Sequence, residues 1–218
     1  MNRDTLLNII AAKVLELPQT GVARVAIDGV DGAGKTTFAD ELATILKSSQ
    51  RPIIRASADS FHNPRAVRYR LGKNSPKGFF EDSYNYPELK RLLLDPLSTG
   101  GSGVYQTASF NHHSDSPVNA PKQIAEPGAI LIFDGVFLHR PELWHYWDFS
   151  VFLEVAFEIS IPRGAQRGEG SPDPKAPENW RYVEGQKIYL NTCKPGQHAT
   201  IIINNNNLEA PYSKTTSS

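Results

Sequence analysis

The sequence is poor in cysteine and has no excess of either charge, and each shortage excludes a class of protein. Cys193 is the one cysteine among 218 residues, so an internal disulfide is excluded, which is typical of a reducing compartment such as the cytosol. The 23 lysines and arginines balance 23 aspartates and glutamates. A formal net charge of zero argues against bulk electrostatic binding to nucleic acid or anionic membranes.

Long apolar runs are also missing. No stretch is long enough to span a bilayer. The first segment, MNRDTLLNIIAAKVLEL, is interrupted by Lys13 and Glu16 and no cleavage site follows, which argues against a signal peptide. We therefore expect a cytoplasmic protein that acts on a small molecule rather than on nucleic acid or a membrane. The oligomeric state cannot be read from the sequence.

One motif stands out among what is present. The segment GVDGAGKT, 29–36, matches G-x-x-x-x-G-K-[ST] at every fixed position. The apolar run before it predicts a strand, and the apolar spacing after it predicts a helix, which is the context of a phosphate-binding P-loop. Lys35 is expected to reach the β- and γ-phosphates of a nucleotide, and the Thr36 hydroxyl to bind Mg²⁺. The residues predicted to bind nucleotide are Gly29, Asp31, Gly32, Ala33, Gly34, Lys35, Thr36 and Thr37.

The rest of the chain reads as an α/β fold. Short apolar runs predict five strands: Val22–Ile27, Pro52–Ala56, Ala129–Phe133, Phe149–Val155 and Ala199–Ile203. Helical spacing lies between several of them, at Thr36–Lys47, Pro87–Leu94 and Asn179–Leu190. Such alternation predicts a parallel sheet covered by helices on both faces, a three-layer α/β/α sandwich. We expect one domain over residues 1–212, a lid near 162–180, a small hairpin excursion within 98–121, and a disordered tail at 213–218.

Two acids follow predicted strands. Asp59 comes just after the second strand, in ADSFH, where it could take a proton from a hydroxyl or bind Mg²⁺. Asp134 ends the apolar run AILIFD, the Walker-B pattern of a carboxylate that reaches the metal. The predicted metal ligands are therefore Thr36, Asp59 and Asp134.

Together these segments resemble the uridine kinase-like branch of P-loop phosphotransferases, the phosphoribulokinase/uridine kinase family. The resemblance is carried by GVDGAGKTTFADELA, ADSFH, GFFEDSYNYPEL, FDGVFL and the segments after 151, and it spans about residues 24–211. It implies a five-stranded parallel sheet and ATP-dependent phosphorylation of a hydroxyl, in uridine kinases the ribose 5′-OH. It also implies Asp59 as general base, with Lys35 and the lid arginines assisting. The implied site residues beyond the P-loop are His62, Glu81, Asp82, Phe110 and His112 for the phosphoryl acceptor, and Arg163 and Arg167 for phosphate.

The residues leave the phosphoryl acceptor open. His62 stands where uridine kinases usually have tyrosine, and SFNHHSD matches their pattern only loosely. A nucleoside monophosphate, pantothenate or a phosphosugar remains an alternative, the last because the segment 65–77 is basic. A non-catalytic nucleotide-binding module is the alternative of another class. A GTPase would need an Asn-Lys-x-Asp segment, which the run NNNN at 204–207 does not provide.

Overall fold

The computed structural model describes residues 2–168 and 170–214. Its helices are α1 (Arg3–Leu15), α2 (Lys35–Leu46), α3 (Arg65–Arg68), α4 (Pro76–Asp82), α5 (Tyr86–Leu89), α6 (Phe157–Ala165), α7 (Trp180–Cys193) and α8 (Pro195–His198). Its strands are β1 (Ala23–Gly29), β2 (Ile53–Ser57), β3 (Val104–Tyr105), β4 (Phe110–Asn111), β5 (Ser116–Pro117), β6 (Gln123–Ile124), β7 (Ile130–Gly135), β8 (Phe149–Glu154), β9 (Ile201–Asn204) and β10 (Tyr212–Lys214).

A six-stranded sheet forms the middle layer, in the order β10-β9-β8-β1-β7-β2. The pairs from β9 to β2 are all parallel, which confirms the predicted five-stranded parallel sheet. The sixth strand, β10, is antiparallel to β9 and was not predicted, because its three residues carry no apolar run. The predicted tail begins inside this strand at Ser213, and its residues 215–218 lie outside the described residues.

Side-chain alternation along the strands divides the core between the two faces of the sheet. In β1, Val25 and Ile27 join the cluster covered by α1 and α2, whereas Ala26 joins the cluster covered by α4, α5 and α7. The same alternation separates Ile132 from Phe133 in β7. Both faces are buried, which explains why these strands read as continuous apolar runs, and the predicted three-layer arrangement is confirmed.

The segment between α5 and β7 is not part of the three-layer sandwich. Two small antiparallel ribbons form there, β3 with β6 and, nested inside them, β4 with β5, which confirms the expected excursion. The predicted helix Pro87–Leu94 is α5 followed by a wider helical turn over Lys90–Leu94. Within the described residues, no helix has the length and apolar content needed to cross a membrane.

Candidate active site

The P-loop joins the end of β1 to the start of α2 at the carboxyl edge of the sheet. Gly32 and Gly34 have φ angles of 72° and 88°, a left-handed conformation that glycine adopts without strain. The first amides of α2 lack partners inside the helix, so they offer N–H donors and a positive helix end to an anion. Lys35 Nζ donates to the carbonyl of Val30 at 2.8 Å, which holds the ammonium group over the loop. This geometry suits a bound phosphate chain.

Helix α6 lies directly against the loop. A Cβ atom on Gly32 would stand 1.9 Å from the carbonyl oxygen of Ser160, a backbone atom that cannot rotate away. Ser160 itself is fully buried, and its hydroxyl has no hydrogen-bond partner among the described residues. Glycine is therefore required at position 32 for two reasons: its left-handed φ angle and the close approach of α6.

Asp134 meets the P-loop from the end of β7, where its side chain is buried. Thr36 Oγ1 donates to Asp134 Oδ2 at 2.7 Å, and Arg55 Nη2 lies 2.9 Å from Asp134 Oδ1. The second contact lacks hydrogen-bond geometry, so Asp134 Oδ1 has no hydrogen bond to any residue that the structure describes. A buried carboxylate oxygen without a hydrogen bond, next to a threonine hydroxyl, is a suitable ligand for Mg²⁺. This ion prefers oxygen ligands and is usually bound by one or two carboxylates together with substrate phosphates.

Asp59 lies on the short helical turn Ala58–Phe61 that follows β2, and its side chain is exposed. Tyr84 Oη donates to Asp59 Oδ1 at 3.3 Å, and burial, then Asp59 and then Asp31, raise the pKa of Tyr84 well above its ordinary value. His62 Nδ1 lies 2.9 Å from the carbonyl oxygen of Asp59. Burial, the largest influence, lowers the pKa of His62 to about 4, so its imidazole is neutral near pH 7.

A cavity of about 390 Å³ opens beside Asp59, and we name it the Asp59 cavity. The P-loop residues Asp31 and Gly32 form one of its walls. Most of its remaining wall is aromatic or basic: His62, Arg68, Tyr69, Phe79, Tyr84, His112, His113, Arg181 and Tyr182. The rings of His62 and His112 are 4.5 Å apart, and His62 is 4.5 Å from Tyr84, so they form a continuous aromatic wall next to the carboxylate.

A second cavity, of about 560 Å³, lies on the other side of Gly32, and we name it the Arg163 cavity. Its lining includes Gly34 and Thr37 of the P-loop, Arg163 and Arg167, and Leu208. Arg163 donates to the carbonyls of Asn205 and Asn206, at 3.0 and 2.5 Å. Asn205 Nδ2 in turn donates to the carbonyl of Ala33 at 2.8 Å, which ties this loop to the P-loop.

The structure gathers most of the sequence-predicted site residues around these two cavities. Asp59, His62, His112, Asp31 and Gly32 line the Asp59 cavity, and Gly32, Gly34, Thr37, Arg163 and Arg167 line the Arg163 cavity. Gly29, Ala33, Lys35 and Thr36 lie in the P-loop and at the start of α2, next to them, with Asp134 bonded to Thr36. The predicted lid, near 162–180, begins inside α6 and ends at the start of α7.

Three of the residues predicted to bind the phosphoryl acceptor line neither cavity. Asp82 is buried and accepts two hydrogen bonds from Arg70, at 2.8 and 2.9 Å, so its carboxylate is already neutralised within the protein. Glu81 lies 3.9 Å from Lys77 on the outside of α4. Phe110 is buried on β4. Their roles in binding a phosphoryl acceptor stay predictions.

Sequence reasoning missed a buried polar cluster beneath the P-loop. Asp28, fully buried at the end of β1, accepts from Gly29 N at 2.7 Å and from Tyr189 Oη, and its Oδ2 lies 2.6 Å from His139 Nδ1. His139 Nε2 lies 2.9 Å from Ser150 Oγ. The contacts Asp28–His139–Ser150 follow the order of a catalytic triad. Ser150 is only 3% exposed, however, so we interpret the cluster as structural. The signal in the sequence that could have revealed this cluster was an aspartate, Asp28, within the apolar strand β1.

Two arginines of the Asp59 cavity were not among the predicted site residues, although Arg68 lies in the basic segment 65–77. Arg181 is 5% exposed, donates to the carbonyls of Lys73 and Arg68, and faces the ring of Tyr69 at 4.7 Å. Arg68 donates to Asp115 at 3.1 Å. The Nε atoms of both arginines are buried without a partner in the described part of the chain. No spacing in the sequence distinguishes these two arginines from the other basic residues around them.

The chain is similar in sequence and in fold to several kinases. A uridine kinase of Lactobacillus helveticus (strain DPC 4571) is 27% identical over 178 residues, which covers 78% of this chain and 76% of the relative. A structure described as a possible uridine kinase from Bacillus stearothermophilus has a TM-score of 0.70 at 20% identity, over 91% of this chain and 97% of that one. A D-glycerate 3-kinase from Cryptococcus neoformans var. grubii has a TM-score of 0.60 at 11% identity, over 96% and 99%. These two structural likenesses show the fold.

The family assignment rests on the sequence itself. The profile of the Phosphoribulokinase / Uridine kinase family matches residues 25–170, about two thirds of the chain. The match includes the P-loop, Asp59, Asp134 and Arg163. Kinases of this family generally use ATP with Mg²⁺, and the chain is a kinase-type phosphotransferase with a nucleotide-binding P-loop. The protein belongs to the phosphoribulokinase/uridine kinase family.

Proposed function

We propose that the protein transfers the γ-phosphoryl group of ATP to the 5′-hydroxyl of a nucleoside such as uridine or cytidine. One observation carries the proposal: the exposed carboxylate of Asp59 lines the same cavity as Asp31 and Gly32 of the P-loop. A hydroxyl group bound in that cavity can meet both the base and the terminal phosphate. The uridine kinase of Lactobacillus helveticus supports the nucleoside.

Each group of the site has a defined task in this proposal. The P-loop amides and Lys35 bind the phosphates, and Thr36 and Asp134 hold Mg²⁺, which supplies positive charge to the phosphate oxygens when bound. Asp59 orients the acceptor hydroxyl and takes its proton, because its exposed side chain lines the cavity in which that hydroxyl is bound. We assign the nucleotide to the Arg163 cavity, where Arg163 and Arg167 lie over the end of the P-loop.

The walls of the Asp59 cavity favour a planar ring. Tyr69, Phe79 and Tyr182 contribute rings on one side, and His62 and His112 contribute imidazoles on another. Because His62 is neutral near pH 7, its ring can stack on a base without adding a charge.

We also propose the cytoplasm as the compartment, supported by the single cysteine. A small molecule rather than nucleic acid as partner is supported by the zero net charge.

The direct test is an ADP-release assay with Mg-ATP and a panel of phosphoryl acceptors: uridine, cytidine, purine nucleosides, nucleoside monophosphates, pantothenate and sugar phosphates. ³¹P NMR of the product identifies the phosphorylated oxygen. We expect turnover with uridine or cytidine and a 5′-phosphate product. Binding of ATP without turnover on any of these compounds would contradict the proposal and favour a nucleotide-binding module.

A second candidate, an acceptor that already carries an anion, is favoured by Arg181. Burying a guanidinium group is unfavourable unless an anion neutralises it, yet no carboxylate lies within ion-pair distance of Arg181 among the described residues. The anion of pantothenate or a sugar phosphate could complete this pairing beside Arg68. Turnover with these compounds, lost on Arg181→Met while nucleosides stay inactive, would establish this candidate instead.

A further inference from the structure

The first turn of α1 contributes an arginine to the wall of the Arg163 cavity. Arg3 lines this cavity together with the P-loop residues and Leu208. Its side chain is 15% exposed, so most of the guanidinium group is withdrawn from water. Burying a charged group costs free energy unless the group is paired and hydrogen-bonded, so the partners of Arg3 indicate its task.

Arg3 joins α1 to two other elements of the cavity. Its Nε and Nη2 atoms each lie 2.7 Å from Glu41 Oε2 on α2. Its Nη1 atom donates to Asn205 Oδ1 at 3.4 Å, and its backbone N–H donates to the carbonyl of Glu209 at 3.2 Å. Asn205 and Glu209 bound a stretch between β9 and β10, which we name the 205–209 segment. The ion pair with Glu41 therefore directs the remaining N–H donors of Arg3 toward this segment.

Asn205 connects the 205–209 segment to the parts of the cavity that face a nucleotide. Its side chain is fully buried, and its Nδ2 atom donates to the carbonyl of Ala33 in the P-loop at 2.8 Å. Its own carbonyl accepts from Arg163 Nη1 at 3.0 Å. Asn205 thus contacts Arg3, Arg163 and the P-loop at once, and a shift of Asn205 would move the latter two relative to each other.

The charges in the cavity favour an anion. Burial and, after it, the positive charge of Arg3 lower the pKa of Arg163, so the two guanidinium groups lie near each other. Like charges at short range repel, and a bound polyphosphate would relieve that repulsion. The arrangement therefore has its lowest free energy when the cavity is filled by phosphate groups.

We propose that Arg3 is a positioning residue for nucleotide binding. It fixes Asn205, and through Asn205 it holds the Arg163 guanidinium group and the P-loop in the arrangement that binds the phosphates. The inference rests on one part of the proposed function, the assignment of the nucleotide to the Arg163 cavity, and does not depend on the phosphoryl acceptor. It extends the nucleotide site from the P-loop to the first turn of α1.

The first test measures the Kd of Mg-ADP by calorimetry in folded variants, with folding checked by urea unfolding. Arg3→Met should raise Kd about tenfold, because Asn205 loses its donor and Arg163 its fixed support. Lys13→Met, which removes an exposed positive charge from the same helix, should change Kd less than about twofold. Equal effects in these two variants, or an unchanged Kd in Arg3→Met, would overturn the inference.

Arg3→Lys separates positioning from simple attraction between charges. Lysine keeps the positive charge near Glu41 but lacks the planar fork that contacts Glu41 and Asn205 together, so Kd should still rise about threefold or more. Wild-type affinity in Arg3→Lys would show that the charge alone matters and would overturn the positioning role.

A double-mutant cycle with Asn205→Ala tests the route of the effect. If Arg3 acts through Asn205, the variant with both changes should bind Mg-ADP as weakly as Asn205→Ala alone, because contributions that share one contact do not add. Losses that multiply would overturn the positioning role and favour direct contact between Arg3 and the nucleotide. Mg-ADP binding needs no phosphoryl acceptor, so wild-type binding without turnover would remove the proposed phosphoryl transfer and leave this inference standing.

Discussion

The two cavities on either side of Gly32 are built in different ways. The Arg163 cavity faces the P-loop, where backbone amides and one lysine follow a fixed spacing, and its arginine is held by backbone carbonyls. The Asp59 cavity is built from side chains that seven separate segments bring together, from the P-loop to α7. Phosphate recognition by the P-loop itself is therefore a local property of the chain, whereas recognition of the phosphoryl acceptor depends wholly on tertiary packing.

The largest effect is expected where the two cavities share a wall. Gly32→Ala places a Cβ 1.9 Å from Ser160 O at a φ of 72°, so the free energy of unfolding should fall by about 2–4 kcal/mol. Gly72→Ala is the matched control: its φ is 95°, but nothing lies within 4 Å, and about 1–2 kcal/mol is expected. Urea unfolding measures both. Equal losses of the free energy of unfolding in the two variants would show that the contact between α6 and Gly32 adds no cost.

A smaller and more selective effect is expected in the Arg163 cavity. Arg163→Ala removes the two hydrogen bonds to the loop at Asn205 and Asn206, so KM for ATP should rise about tenfold with KM for the phosphoryl acceptor unchanged. Arg91→Ala removes an exposed arginine bonded to Glu88 and serves as the control. A rise in KM for the phosphoryl acceptor instead would contradict our division of the two cavities.

The P-loop could be predicted from the sequence, whereas much of the Asp59 cavity could not. The P-loop, Asp59 and Asp134 follow strands whose apolar runs are visible, so their meeting at one sheet edge could be predicted. Arg181 faces the Asp59 cavity only because α7 packs on α4, where Gly185 leaves room for Phe79. No local sequence pattern identifies Arg181 as a site residue. Asp82 was predicted as a ligand-binding acid, and its pairing with Arg70, twelve residues away, has no periodic signal.

The smallest effect concerns the pH dependence of stability and arises mainly in the Asp59 cavity. His62 has a pKa of about 4 in the folded protein against 6.5 ordinarily, because burial disfavours the imidazolium. Between these values the unfolded chain binds a proton that the folded protein does not, so stability falls as pH falls from 6.5 toward 4. The slope should be about 1 kcal/mol per pH unit, measured by urea unfolding.

His62→Gln should remove most of that slope; a smaller part should remain, because burial also lowers the pKa of His112 in the same cavity. His113→Gln, which deletes a neighbouring exposed imidazole, should retain it. The variants share the change in side-chain type and differ in burial, so they separate the buried histidine from the exposed one. The same slope in wild type and in His62→Gln would show that another group is responsible.

In the proposed reaction, Asp59 acts on the phosphoryl acceptor, and the P-loop and the rest of the Arg163 cavity bind the nucleotide. To test this, kcat for the best acceptor of the panel is measured beside Mg-ADP affinity by calorimetry, in wild type and Asp59→Asn. We predict a loss in kcat of about 10²–10⁴-fold, with ADP affinity changed less than about threefold. A kcat within a few-fold of wild type, or a loss of ADP affinity as large as the loss of kcat, would contradict it.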